Sequence, residues 1–393
     1  MDMTAPAPTP EIVYLATRDH DDAAWTSSQQ IAAALSRLTR VLVVEPSLSP
    51  GGLFRKGLTA GLRRSSEGLL VLRPFNPIPF SARCRAAETL SRRFLLRAIR
   101  MTIARLGFGD YQIWVHSPRQ FRLAESLRKT TLIYKCAGEI ATFPWLRHRK
   151  AELLAEEERL IKTADVIFCT SPSIAKRKAA LNPSTFLVRL GVDAGLYARV
   201  MGSDLPLPAD LKGIPEPRIG YVGALDAYKV DFELLDAVAR EHPEWHWVLI
   251  GGTGVSDGTT ASALPRGPNL HYLGVKPRAE IPLYLKFCSV LAVPYRRNDY
   301  TENLTTLKMH EYLATGKPVA ATELPHFRRL LPLIRIASGS REFAAAIAEG
   351  LQERDASLRE KRRAVAADQS WEKQAGRMLE RIRAVEEKKN GRG

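Results

Sequence analysis

The chain has 393 residues, of which 45% are hydrophobic and 25% are charged. This length exceeds one ordinary core and predicts two domains of about 180–200 residues each. The composition is that of a folded protein, not of a disordered chain. No apolar run approaches the ~20 residues of a membrane-spanning helix, and residues 1–10 lack the basic start and apolar core of a signal peptide. We therefore expect a cytoplasmic protein.

The net charge of +16 is unevenly distributed. Residues 1–200 hold 30 Lys and Arg against 17 Asp and Glu, a net of +13, and the remainder has a net of +3. An excess confined to one half indicates an anionic partner, either nucleic acid or an anionic membrane surface. The four cysteines are scattered without the close pairing of a zinc site, which predicts reduced, buried thiols.

The N-terminal half alternates short β-branched apolar runs with stretches of helical composition. The runs fall at residues 12–16, 41–45, 69–73, 112–116, 131–135, 165–169 and 186–189, with helix-compatible stretches such as 28–37 and 151–163 between them. Strands that alternate with helices indicate βαβ units and a parallel sheet covered on both faces.

Residues 55–105 form the densest basic segment, with twelve Lys or Arg residues against two glutamates. On a helical wheel through 81–106, one apolar stripe suits a core, and a second lies nearly opposite and is rimmed by arginines. The second stripe and its rim consist of Leu90, Arg93, Phe94, Arg97, Arg100 and Met101. This composition is typical of a helix that lies on an anionic membrane. The alternative is that the stripe packs on a neighbouring helix and the arginines are merely solvated.

Residues 201–217 carry prolines and glycines and predict a linker. The alternation then restarts with predicted strands at 218–222, 247–250, 270–273, 290–293, 318–321 and 333–336. The sequence thus predicts an α/β fold with two Rossmann-like doubly wound lobes facing a central cleft. We expect an N-terminal domain over 1–200, a C-terminal domain over 218–370, and a helix over 371–393 that packs back towards the N-terminal domain.

Residues 303–319 form the most specific motif of the chain. Asn303, Thr305 and Thr306 are candidate caps for a helix, and Lys308 and Glu311 are three residues apart on one side of it. A helix N-terminus with hydroxyls and a lysine suits a diphosphate, and a glutamate can accept two hydrogen bonds from ribose hydroxyls. The alternative is that Lys308 and Glu311 form an ordinary exposed ion pair.

Five ordered motifs in residues 218–322 resemble the C-terminal lobe of GT-B glycosyltransferases, above all bacterial enzymes that build polysaccharides and lipid-linked glycans. They are RIGYVGALDAY, VLIGG, NLHYLGVKPRAEIPLYL, VLAVPY and LKMHEYLATGKPVAAT. The resemblance implies that Lys308 contacts the donor phosphates and Glu311 the ribose. It also implies that the glycine loops at Gly223, Gly251 and Gly252 approach the phosphates and base, and Lys229 is a candidate second phosphate cation.

The catalytic base is predicted from the N-terminal lobe, where the resemblance continues more weakly. Residues 14–35 are similar to the first strand, loop and helix, which supply Asp19, His20, Asp21 and Asp22 as candidate bases. Residues 133–139 resemble a strand end that in related enzymes often carries aspartates at two positions. Lys135 and Gly138 stand there instead, and only Glu139 remains acidic. We expect Glu139 to be the base ahead of Asp21, with His116 as a further candidate.

Many retaining members of the family carry two glutamates separated by seven residues, and Asn303 stands where the first would fall. We therefore expect inversion. No Asp-x-Asp motif stands where a donor would need a metal, so we expect neither a metal nor another cofactor.

The predicted function is transfer of a sugar from a nucleotide donor to a membrane-proximal, lipid-linked glycan acceptor, by a peripheral protein on the inner face of the cell membrane. A soluble acceptor is the alternative. A nucleic-acid-binding α/β protein is a third hypothesis, but no recognisable nucleic-acid module is present, so we expect no nucleic-acid partner.

Overall fold

The computed structural model describes residues 10–20, 26–50, 59–65, 68–78, 85–127, 130–136, 138, 150–254, 258–302 and 306–391. Contacts divide the chain into two compact units. The first comprises residues 1–137, 149–188 and 374–393, and the second comprises residues 138–148 and 189–373. Within the described ranges, no helix is long and apolar enough to cross a membrane.

The first unit is built on a sheet whose eight described strands run in the order β3-β4-β2-β1-β5-β6-β7-β8. The strands are β1 (Glu11–Leu15), β2 (Val41–Val44), β3 (Gly61–Arg64), β4 (Leu70–Arg73), β5 (Tyr111–Val115), β6 (Leu132–Cys136), β7 (Val166–Cys169) and β8 (Thr185–Leu187). All neighbouring pairs are parallel except β3 with β4. Seven of these strands were predicted to within two residues at either end, because most of them are buried apolar runs.

Helices cover both faces of this first sheet, as crossover connections between parallel strands require. They are α1 (Ser27–Ser36), α2 (Arg85–Leu106), α3 (Phe121–Glu125), α4 (Lys150–Thr163) and α5 (Pro172–Ala179). The core between them includes Val13, Leu42, Ile99, Ile113 and Ile167, all fully buried.

The second unit is built on a parallel sheet with the strand order β11-β10-β9-β12-β13-β14. The strands are β9 (Arg218–Val222), β10 (His246–Ile250), β11 (Leu270–Gly274), β12 (Val290–Val293), β13 (Val319–Thr322) and β14 (Arg335–Ala337). The change of direction in strand order at β9 is the point where ligands bind in open α/β sheets, outside the carboxyl ends of the strands.

The helices of the second unit pack on this sheet and on one another. They are α6 (Ala194–Gly202), α7 (Phe232–Glu241), α8 (Ile281–Lys286), α9 (Asp299–Glu302), α10 (Leu307–Thr315), α11 (Ser340–Gln352) and α12 (Ala356–Asp368). Helix α6 packs on α8 and α10, which is why it falls in this unit although the predicted domain boundary was at residue 200.

The C-terminal helix α13 (Trp371–Asn390) starts in the second unit, and its residues from 374 onwards belong to the first. Near its end, Glu386 accepts hydrogen bonds from Thr131 and Gln112, and Lys389 forms an ion pair with Asp165. These polar contacts attach the last turns of the helix to the β5, β6 and β7 region of the first sheet.

Candidate functional site

Two glycine loops meet at the carboxyl edge of the second sheet. Gly223 follows β9 with φ +142°, and Gly251 follows β10 with φ +149°, so both occupy a region that disfavours side chains. A Cβ on Gly251 would lie 2.0 Å from the Gly223 carbonyl oxygen. The loops are tied together because Gly223 N–H donates to Ile250 at 2.8 Å and Leu225 N–H to Gly252 at 2.9 Å. The absence of side chains leaves exposed backbone facing this edge.

Lys308 lies in the first turn of α10 directly beside the first of these loops. Its ammonium would be 2.7 Å from a Cβ at Gly223. The side chain is 5% exposed, and its Nζ atom has no hydrogen-bond partner among the described residues. Instead, Nζ lies 3.6 Å from the ring centroid of Tyr221 and 4.9 Å from that of Tyr295. Burial, followed by the charge of Lys229, holds the pKa of Lys308 well below its usual range.

Lys229 is the second cation at this edge, and its Nζ lies 5.3 Å from the Tyr295 ring centroid. Burial acts to lower the pKa of Lys229, but the nearby Tyr295 and Tyr228 outweigh it, so the pKa lies above its usual value. Lys229 therefore stays charged at neutral pH. Asp226 also acts on Lys229 and helps to raise its pKa, but among the described residues no carboxylate forms an ion pair with Lys229 or Lys308. Two lysines that share one aromatic wall in this way form a site that favours an anion.

Glu311 lies one turn after Lys308 on the same helix and is half-buried. Burial raises the pKa of Glu311, while Arg278 and Lys308 oppose that rise. The helix itself is fixed to the strand because the Tyr312 hydroxyl accepts a hydrogen bond from Val222 N–H at 2.9 Å. This geometry holds a cation and a hydrogen-bond acceptor on one helix beside the glycine loops.

Of the three predicted cap residues of α10, only Thr306 lies within the described residues. Thr306 is the N-cap residue, with extended backbone, and it is 8% exposed. The predicted donor-site residues Asn303 and Thr305 lie outside the described residues.

The predicted catalytic residues also lie partly inside and partly outside the described residues. Glu139 and Asp21 lie outside the described residues, whereas His116 follows β5 in the first unit. Its Nδ1 atom is 3.1 Å from the Ser28 hydroxyl, and its ring packs 4.5 Å from that of Tyr14. Burial, and then the charge of Lys135, hold the pKa of His116 well below its usual range, so the imidazole is neutral at pH 7.

The loop after β1 is anchored by a buried ion-pair network. Glu45 is 3% exposed and lies 2.8 Å from Arg73 and 3.0 Å from Arg63. The same carboxylate accepts a hydrogen bond from the His20 backbone at 2.6 Å, and Asp19 lies 3.6 Å from Arg73. Asp19 is therefore partly neutralised by an arginine.

The second stripe on α2 is exposed in the structure. Leu90, Phe94 and Met101 are 44%, 43% and 61% exposed, and Arg93 and Arg97 are exposed beside them. Arg100 is also exposed, but its guanidinium donates to the Ser126 carbonyl at 2.5 Å. The opposite side of the helix faces the core through Ile99 and Ile103. Within the described residues, no neighbouring helix buries the second stripe.

The sequence reasoning missed the aromatic wall of Tyr221 and Tyr295 and the cation Arg278 near Glu311. All three lie within or directly after motifs that carried the resemblance, so the motif positions pointed to the region but not to the contacts. Among the described residues, no group of three or more His, Cys, Asp or Glu is arranged to hold a metal ion.

Residues 216–353 match the family described as glycosyl transferases group 1. This part of the chain is therefore similar in sequence to the group 1 glycosyltransferases. The match contains both glycine loops, Lys229, Lys308 and Glu311. The chain is also 27% identical over 232 residues to the putative teichuronic acid biosynthesis glycosyltransferase TuaH of Bacillus subtilis. That alignment covers 57% of this chain and 58% of the relative's length.

Solved GT-B enzymes share the architecture of the whole chain. Sucrose-phosphate synthase from Thermosynechococcus elongatus superimposes with a TM-score of 0.70 at 18% identity, over 96% of this chain and 99% of that one. HepE from Anabaena, solved in complex with UDP-glucose, gives 0.67 at 17% identity, over 94% and 99%. The predicted GT-B fold of two Rossmann-like domains is thereby confirmed.

Proposed function

We propose that the protein is a glycosyltransferase that binds a nucleotide sugar at the carboxyl edge of the second sheet. The observation that carries this proposal is the buried Lys308 ammonium, which has no hydrogen-bond partner among the described residues and lies beside the side-chain-free loop at Gly223. A diphosphate supplies an anion to two lysines that have no ion-paired carboxylate among the described residues, and the Glu311 carboxylate accepts hydrogen bonds from the ribose hydroxyls. The UDP and UDP-glucose complexes of HepE favour a UDP-sugar as the first donor to test.

Donor binding is tested by calorimetry with UDP, GDP, ADP and their sugar derivatives. We expect one nucleoside diphosphate to bind clearly better than its monophosphate, because the second phosphate meets Lys308 and Lys229. Binding without added metal, unchanged by a chelator, is expected from a site that neutralises the diphosphate with lysines. Failure of every nucleotide to bind would remove the assignment.

The acceptor is proposed to be a membrane-proximal, lipid-linked glycan, and the protein to dock on an anionic membrane through α2. The support is an exposed apolar stripe flanked by exposed arginines on the half of the chain that carries most of the net charge. Such a helix buries its apolar side chains in the headgroup region while its arginines meet anionic lipids. The TuaH relative is named for teichuronic acid biosynthesis.

Co-sedimentation with anionic vesicles tests the docking surface. Because Arg100 is engaged by Ser126, the sharper variant is Arg93→Gln with Arg97→Gln. Each arginine near such a surface is worth about 1 kcal/mol, so partitioning should fall about thirtyfold. Arg341→Gln with Arg354→Gln removes the same charge from exposed positions of the second unit and should leave partitioning nearly unchanged. If wild-type protein ignores anionic vesicles at low salt, the soluble acceptor takes the place of the lipid-linked one.

Chemistry is proposed to proceed with inversion and a carboxylate base, Glu139 ahead of Asp21. The support is sequence-based: Asn303 stands in place of the first glutamate of many retaining enzymes. The anomeric configuration of the product, read by NMR, decides between the two outcomes. Glu139→Gln should lower kcat by about 10²–10⁴-fold, the usual contribution of a general base, while nucleotide affinity stays unchanged.

A further inference from the structure

A second buried lysine without an acidic partner lies at the carboxyl edge of the first sheet. Lys135, near the end of β6, is 2% exposed. Its Nζ atom donates to the Ser27 hydroxyl at 3.1 Å, and within the described residues no carboxylate lies at ion-pair distance. Burial lowers the pKa of Lys135 to about 8, which still leaves it mostly protonated at pH 7. A buried cation held by one neutral hydroxyl retains unused capacity to bind an anion.

Among the described residues, the polar groups near Lys135 are donors or neutral. Ser27 is the first residue of α1, and the first N–H groups of a helix have no acceptor within the helix. His116 follows the neighbouring strand β5, and its Nε2 atom is buried without a hydrogen-bond partner in the described part of the chain. A cavity at the start of α1 is lined by Tyr14, Thr26 and Ser28, and two of these side chains also contact His116. Ser28 therefore connects this cavity with His116, and the preceding residue, Ser27, connects the start of α1 with Lys135.

We infer that Lys135, at the start of α1, recognises an anionic group on the sugar acceptor, a carboxylate or a phosphate. The inference rests on the proposed function, because it assigns the first unit to the acceptor. The inferred anion site differs from the donor site in its location and in its residues. It also gives a physical meaning to the lysine that stands where related enzymes often carry an aspartate: an acid at this position would repel such an acceptor, and a lysine attracts it. Lys135 would then set which acceptors are bound.

The test compares matched ligands on the full-length protein. Glucuronate and glucose differ by one carboxylate, and inorganic phosphate serves as the second anionic probe. Binding is measured by ligand-detected NMR with saturating UDP, which occupies the lysines of the donor site. We expect glucuronate or phosphate to bind wild type at least about tenfold more tightly than glucose, since a hydrogen bond to a charged group is worth about 1.5–3 kcal/mol. Which of the two anions is preferred identifies the acceptor group.

Variants assign the effect to this lysine. Lys135→Met should reduce the preference for the anion to about one, and Lys135→Arg should restore part of it. Lys176→Met, an exposed lysine of the same unit, should change nothing. UDP affinity should be equal in all four proteins. Circular dichroism confirms that each variant is folded, and the arginine variant keeps the test valid should the methionine variant fail to fold.

Three results are distinguishable. Equal binding of glucuronate, phosphate and glucose by wild type, with UDP still bound, overturns the inference and leaves the proposed function standing. Competition between UDP and the anion, together with weaker UDP binding in Lys135→Met, also overturns it, because Lys135 would then serve the donor. Loss of all nucleotide binding in wild type instead refutes the proposed function.

Discussion

Replacement of Lys308 by methionine should weaken donor binding but increase the stability of the free protein. Methionine keeps the apolar length of the side chain and removes the ammonium. A charge-assisted hydrogen bond to phosphate is worth about 1.5–3 kcal/mol, so affinity for the nucleoside diphosphate should fall about ten- to 150-fold. The free protein, however, should become more stable, because the buried ammonium has no hydrogen-bond partner in the part of the chain that the structure describes.

The size of the stability gain follows from two opposing contacts. An unsatisfied buried polar group destabilises a protein by about 1–3 kcal/mol, and the ammonium over the Tyr221 ring returns about 0.5–2 kcal/mol. The net gain is about 1 kcal/mol, which raises Tm by about 2–4 °C for a domain of this size. Lys212→Met, an exposed lysine in the same unit, is the matched control and should change neither quantity.

The gain should also depend on pH with a defined sign. The folded pKa of Lys308 lies below its unfolded value. Between these two values the unfolded chain binds more protons, so wild-type stability rises with pH. The advantage of the methionine variant is therefore largest at low pH and shrinks as pH rises through the folded pKa. Chemical denaturation at pH 6 and pH 9 measures it. A variant that binds UDP like wild type, or is less stable at pH 6, would refute the reasoning.

Three further predictions concern the second unit. Glu311→Gln should weaken UDP binding by about 1–3 kcal/mol and abolish the preference for UDP over a dideoxy analogue that lacks the ribose hydroxyls; an unchanged preference in calorimetry would exclude the ribose contact. Gly251→Ala should lower the free energy of unfolding by about 1–3 kcal/mol, because its Cβ would lie 2.0 Å from the Gly223 oxygen; Gly213→Ala, with open space around it, is the control, and denaturation curves that coincide for both would contradict this. Burial, followed by the charge of Arg189, lowers the pKa of His310 to about 4. The free energy of unfolding should therefore fall by up to about 3 kcal/mol as pH drops from 6.5 towards 4. The His310→Gln variant should show a smaller decline over this pH range.

Much of the fold could be predicted from the sequence because parallel strands buried on both faces are continuous apolar runs. The strand β3 was missed for the same reason: Gly61–Arg64 is GLRR, a short antiparallel edge strand with two arginines and no apolar run. The sequence could place Lys308 and Glu311 side by side, because residues three apart in a helix lie on the same side of it. Tyr221 lies in β9 and Tyr295 lies just after β12, so no local pattern predicts that they meet around Lys308.

The burial of the two key lysines could not be predicted either, since it depends on what surrounds each strand end and helix start. Sequence composition suggests that lysines are solvated, and most are. Lys308 and Lys135 are instead enclosed at the carboxyl edges of two separate sheets, each without an ion-paired carboxylate among the described residues. Such a charge destabilises the free protein unless an anion binds. A structural lysine would be expected to carry a carboxylate partner, as Lys178 does with Glu157 at 2.7 Å. The contrast with Lys178 is the physical reason to assign Lys308 and Lys135 to ligands rather than to the fold.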